Sequence, residues 1–97
     1  MTDWRDRTAL LLGRGVVDRL AEASVAVFGL GGVGSFAAEA LARAGIGRLV
    51  LVDGDVVDVT NLNRQLVALR STVGQPKAEA MARRIGDINP DCRVEAH

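Results

Sequence analysis

Ninety-seven residues, 48% of them apolar and 25% charged, suffice for one hydrophobic core, and that balance excludes a disordered tail. Twelve basic residues face twelve acidic ones, interspersed rather than clustered, so there is no basic stripe of the kind that grips nucleic acid, and any RNA contact is expected from outside this chain. The lone Cys92 can close no disulfide or metal cluster within the chain and reads as a half-buried strand residue; with no apolar run near the roughly 20 residues of a membrane span and no signal-peptide stretch, a cytoplasmic setting without membrane contact is expected.

From about Arg7 to Leu12 and from Arg14 to Ala23 apolar positions recur at helical spacing, with Val16, Val17 and Leu20 in the second stretch. They predict an N-terminal helical arm over residues 1–23. Ser24 to Phe28 and Arg48 to Val52 are short apolar runs, the first stopped by glycine and the second by Asp53. Continuous apolarity predicts strands buried on both faces, as in a parallel sheet. Between them a helix is predicted from Val33 to Ala44, with Val33, Ala37, Leu41 and Ala44 as its apolar stripe, Glu39 and Arg43 paired at i,i+4, and Gly45 as its left-handed end. This is a β-α-β unit. A polar stretch follows, with a helical turn expected over 63–69. A last helix is predicted to begin at Pro76, to be apolar at Met81, Ile85 and Ile88, and to stop before Pro90, with Cys92 to Ala96 opening a third strand. The fold class is thus α/β, a Rossmann-like parallel sheet behind a helical arm. Residues 24–97 read as the N-terminal half of a nucleotide-binding domain, and two or three strands are marginal alone, so a truncated chain or a dependence on a partner is expected.

Directly after the first strand stands Gly29-Leu30-Gly31-Gly32-Val33-Gly34, which satisfies G-x-G-x-x-G through Gly29, Gly31 and Gly34. Glycines there permit a tight strand-to-helix turn and let backbone N–H groups approach an anion at the positive end of the helix dipole. Asp53 ends the next strand, where a carboxylate can accept hydrogen bonds from ribose hydroxyls. Loop and acid together predict a nucleotide, and they fit NAD as well as ATP.

Two cations lie downstream. Arg64 offers a planar fork to phosphate oxygens, and Lys77 a compact charge at the second position of the helix that Pro76 begins, against the helix dipole. Asn61 reads either as a phosphate contact or as a local backbone cap. A triphosphate attacked at its α-phosphorus needs more positive charge than a dinucleotide does, so the cations favour ATP.

In order, Gly29-Leu30-Gly31-Gly32-Val33-Gly34-Ser35, Asp53-Gly54-Asp55, Thr60-Asn61-Leu62-Asn63-Arg64-Gln65, Gly74-Gln75-Pro76-Lys77 and Ile88-Asn89-Pro90 resemble the superfamily of ubiquitin-activating enzymes and the bacterial ThiF-type adenylyltransferases of sulfur carriers. Asn63 before Arg64, Arg7-Thr8 with Leu10-Leu11-Leu12-Gly13, and Ile88 through Val94 resemble most the subfamily of tRNA threonylcarbamoyladenosine dehydratases. The resemblance implies ATP-dependent adenylation of a carboxylate, with Gly32 against the phosphates, Asp53 and Asp55 at the nucleotide, and Asn61, Arg64 and Lys77 on the phosphates. It implies that Arg7 reaches a neighbouring subunit's site, hence a homodimer, with Arg64, Lys77 and Arg7 as the catalytic cations. It implies tRNA as substrate and magnesium, whose aspartate lies beyond residue 97 in the family's chain; Cys92 does not match the catalytic cysteine of relatives that use one. No metal ligand is assigned within the chain, and the chain alone is expected to be inactive. The alternatives are activation of a small sulfur-carrier protein, an NAD-dependent oxidoreductase, and a domain that only scaffolds.

Overall fold

The computed structural model describes residues 3–97. Helices α1 (Asp6–Leu12) and α2 (Arg14–Glu22) precede strand β1 (Ser24–Phe28), helix α3 (Gly32–Ala44), strand β2 (Arg48–Val52), a 3-10 turn (Val59–Asn63), helix α4 (Lys77–Gly86) and strand β3 (Arg93–Ala96). The three strands are parallel in the order β1-β2-β3, with Ser24 beside Arg48 and Arg48 beside Arg93. This is the α/β class that the sequence predicts.

Helices α3 and α4 touch each other and both reach β2, so they share one face of the sheet. There Val27, Leu49 and Leu51 join Ala38, Ala42, Met81 and Ile85 in one buried cluster. Each large side chain in it contributes about 1.5–3 kcal/mol, which is what holds the two layers together. The other face carries Ala26, Phe28, Val50 and Val52, and Phe28 is 78% exposed. The expectation of strands buried on both faces is therefore corrected among the described residues. A run of four or five apolar residues does not say how many of its faces helices cover, and β2 alternates buried with half-buried.

The stripe predicted on α3 is also displaced. Ser35, Ala38 and Ala42 are buried, Leu41 packs partly, and Val33 is 86% exposed. Small residues let this helix lie close to the sheet, an advantage that a search for large apolar side chains overlooks. The same closeness recurs at Gly47, where a Cβ would stand 1.8 Å from the Ala21 oxygen at the end of α2.

Smaller corrections concern boundaries. The helical turn expected over 63–69 is instead the 3-10 turn Val59–Asn63, begun by an Asp58/Asn61 capping box. Asp58 followed three residues later by a side chain that reaches back is the signal that the expectation missed. Pro76 is the N-cap of α4, which makes Lys77 its first residue rather than its second. Strand β3 begins at Arg93, one residue after Cys92, whose burial pushes its thiol pKa up. Gly45 ends α3 at φ 96°, ψ 23°, the left-handed cap predicted.

Glu39 of α3 accepts from Arg43 at 3.3 Å, as its spacing predicts, and also pairs with Arg84 of α4. Arg84, hydrogen-bonded to the carboxylate, holds its pKa below the ordinary value of 4.5, against the opposing effect of burial. A carboxylate depressed by folding stabilises the fold above its unfolded pKa and loses that contribution as pH falls through the lowered value. Glu39→Gln is therefore expected to lower stability by about 1 kcal/mol at neutral pH. Urea unfolding of the two proteins should converge once pH drops beneath the ordinary carboxylate range.

Candidate functional site

The carboxyl ends of β1 and β2 meet the amino end of α3 across residues 29–34. Gly29 leaves β1 at φ +89°, a left-handed conformation that strains any residue with a Cβ. At Gly34 a Cβ would lie 1.7 Å from the Gly29 oxygen, so glycine is what lets α3 pack on the strand it follows. No side chain caps the first turn of α3. Its leading N–H groups, with the dipole behind them, are free to face an anion.

Asp53 stands opposite. Its Oδ2 accepts the Leu30 N–H at 2.7 Å and its Oδ1 the Asp55 N–H at 2.8 Å. A carboxylate offers about four lone-pair positions, so two remain for a ligand. Asp55 is exposed and contributes its backbone: residues 55–57 run antiparallel to 74–77 through Val57 N–H to Gln75 O (2.8 Å), Gly74 N–H to Val57 O (2.8 Å) and Lys77 N–H to Asp55 O (3.0 Å). That zipper carries the first turn of α4 back to the strand ends.

Lys77 is 7% exposed and joins none of the ion pairs among the described residues. Its ammonium is not among the buried unpartnered atoms, so the stem is covered while the charged end reaches the surface. Asp58 feels it only weakly: the Thr60 hydroxyl and N–H hold that carboxyl below its usual range, and Lys77 adds to the effect. Arg64 lies over the glycine loop, its Cγ 3.8 Å from where a Cβ on Gly32 would be. Its Nη1 donates to the Thr60 carbonyl at 3.1 Å and to Asn63 Oδ1 at 2.8 Å. Buried Asn61 accepts the Asp58 N–H at 2.8 Å through Oδ1, so it is a backbone cap whose amide nitrogen remains as a donor. Arg7 sits elsewhere, exposed on α1, which packs on α2.

Two residues with no role in the sequence reading complete the cluster. Ser35 donates to the Gly31 carbonyl at 2.5 Å and accepts the Leu66 N–H at 3.2 Å, fastening the loop to the segment after the 3-10 turn. Gln65 puts Nε2 3.8 Å from where a Cβ on Gly31 would be. Its Oε1 is the one buried side-chain polar atom without a partner among the described residues, a cost of about 1–3 kcal/mol. No spacing in the sequence signals either contact.

A cleft of about 470 Å³ lined by Phe36, Arg64, Gln65 and Leu69 opens between α3 and the segment after the 3-10 turn. A larger groove of about 810 Å³ lies at the carboxyl ends of α3 and α4, beside Trp4. Its arginines are engaged, Arg43 and Arg84 by Glu39 and Arg83 by Gln75, so chemistry rather than size selects the glycine loop.

The loop, the acid at the end of β2 and the cation at the head of α4 fall within a match to the ThiF family that spans residues 5–97. The chain belongs to the ThiF family. It is 61% identical over 90 residues to a tRNA threonylcarbamoyladenosine dehydratase of Bacillus subtilis, a match covering 93% of this chain and 35% of that protein. Among ThiF relatives of solved structure, the Escherichia coli tRNA N6-threonylcarbamoyladenosine dehydratase in complex with ATP is 57% identical with a TM-score of 0.90, over 95% of this chain and 39% of that one. Ubiquitin-like modifier-activating enzyme 5 of Arabidopsis thaliana is 46% identical over 93 residues, 93% of this chain and 21% of that protein. The chain thus spans little more than a third of the length of the dehydratases it matches.

Two glycines of the loop should separate structure from binding. Gly34→Ala drives a Cβ into the Gly29 oxygen and is expected to destabilise by about 1–3 kcal/mol or more. Gly32→Ala meets only ordinary contacts, 3.8 and 3.9 Å to Arg64, and should shift the urea midpoint little.

Proposed function

We propose that residues 24–97 form the N-terminal half of a nucleotide-binding domain for ATP, and that the whole protein adenylates the carboxylate of threonylcarbamoyladenosine in tRNA. The observation that carries this reading is Lys77, its stem covered and its ammonium outside every ion pair among the described residues, at the strand ends that bear the open amino end of α3. A polyphosphate engages both at once, and a dinucleotide already served by the helix N-terminus leaves Lys77 without a role. The likeness to dehydratases favours the tRNA substrate.

In this reading the phosphates lie against Gly32, between the N–H groups of α3 and the cations Arg64 and Lys77, with the Asn61 amide nitrogen as a further donor. The free lone pairs of Asp53 take the ribose hydroxyls, and Asp55 orders the turn behind them. The substrate carboxylate attacks the α-phosphorus, the bond to the bridging oxygen breaks, and pyrophosphate leaves with the electron pair. Arg64 and Lys77 stabilise the charge that develops on it. An internal nucleophile of the threonylcarbamoyl group then attacks the acyl carbon, AMP departs, and the ring closes with net loss of water. Magnesium would lower the charge of the triphosphate; no cluster of three ligating side chains converges on a metal among the described residues, so its protein ligand is assigned outside them.

Arg7 completes the reading as a cation given to a second copy. It shares one face of α1 with Leu10 and Leu11, which are 87% and 83% exposed. An apolar patch flanking an arginine suits a subunit contact, and a homodimer is proposed. The likeness to a ubiquitin-like modifier-activating enzyme favours a second reading, activation of a small carrier protein.

Exchange of labelled pyrophosphate into ATP tests these readings in the full-length protein. Dependence on threonylcarbamoyladenosine-bearing tRNA is expected; dependence on a carrier protein would install the second reading, and no exchange with either would sink both. Lys77→Ala should slow exchange about 100-fold. Mixing inactive Arg7→Ala and Lys77→Ala proteins should restore about a quarter of wild-type exchange, because half the dimers then hold one intact composite site.

A further inference from the structure

Gln65, near the glycine loop, carries the one buried side-chain polar atom without a partner among the described residues. It is 7% exposed, and its backbone is fully engaged, with N–H to the Asn61 carbonyl at 3.0 Å and C=O accepting from Ala68 N–H at 3.0 Å. The main chain from which the side chain projects is thereby fixed in place. A carboxamide that served to cap an interior donor would do so through its oxygen, yet the buried Oε1 has no partner. The nitrogen end faces Gly31, the N-cap of α3, at van der Waals distance from where a Cβ would stand. Gly31 is itself held from behind by Ser35, which also holds Leu66, the neighbour of Gln65. The loop and the backbone next to Gln65 are therefore fastened to the same hydroxyl.

We propose that Gln65 is a nucleotide-binding residue whose Nε2–H group donates to a phosphate oxygen seated on Gly31 and Gly32. The inference rests on the ATP reading and adds to it a neutral wall facing the loop, distinct from the cations Arg64 and Lys77. A neutral donor suits that position. It holds the phosphate by direction without adding a third positive charge that would retain pyrophosphate after it forms. The interior oxygen stays unpartnered, so the side chain lowers the stability of the empty protein and is useful only when the loop is filled.

That opposition between stability and binding supplies the test. In the full-length protein, Gln65→Leu fills the same space without polar atoms. Its melting temperature without ligand is expected to equal or exceed that of wild type, while its Kd for ATP, measured by calorimetry, should rise tenfold or more. Gln65→Glu, which places a carboxylate against the phosphate, should weaken ATP more than Gln65→Leu does. A Gln65→Leu protein that melts lower and binds ATP normally would make Gln65 a structural residue and overturn the inference, as would ATP affinity unchanged in both variants. Wild-type protein that binds no ATP would overturn the ATP reading first, an outcome distinguishable because it requires no variant.

Discussion

The carboxylate of Asp53 accepts one backbone N–H from the glycine loop at 2.7 Å and one from the segment leaving β2 at 2.8 Å, and the rest of the site is positioned from that pair of bonds. The first fixes Leu30 and with it the entry to α3. The second fixes Asp55, whose carbonyl receives the first N–H of α4. Two helices that begin 45 residues apart, at Gly32 and Lys77, are thus referred to one side chain at the end of one strand. An acid that also serves a ligand is held by the architecture it creates, so its orientation is set before anything binds.

A second constraint is electrostatic. The chain is neutral overall, and five of its arginines, Arg5, Arg14, Arg43, Arg48 and Arg84, are paired with carboxylates. Arg5 holds Asp3 down to a pKa of about 2, Arg48 holds Glu95 below its usual range, and Arg84 does the same to Glu39. Lys77 lies outside these pairs, its stem covered. Local imbalance within a balanced chain is what gives the strand ends their appetite for an anion, and net charge alone conceals it.

Much of this was legible in the residues. The glycine spacing, Asp53, the left-handed Gly45 and the Glu39–Arg43 pair each depend on local chemistry, and local chemistry is what a sequence displays. The contacts that escaped are long-range. Ser35 meets Leu66, Gln65 meets Gly31, and Arg84 joins Glu39 only once the sheet has brought α3, α4 and the 3-10 turn together. The displaced stripe on α3 has a related cause: its buried face is chosen by how close the helix can approach, so alanine and serine displace the larger Val33. The covering of the sheet was misjudged because an apolar strand looks alike whether one face or both are packed.

Strand β1 has a neighbour on one side only among the described residues. Its outer rim therefore presents a ladder of free amide and carbonyl groups, next to Phe28 and Ala26 on the uncovered face. Such a rim is a template for another strand, and a parallel one from the same protein is the commonest way to complete a sheet of this kind. Any species in which the rim is bare, a folding intermediate on the ribosome or a proteolytic remnant, would be sticky in proportion to its concentration. An exposed rim at Ser24–Phe28 is a liability that a neutral net charge does not reveal.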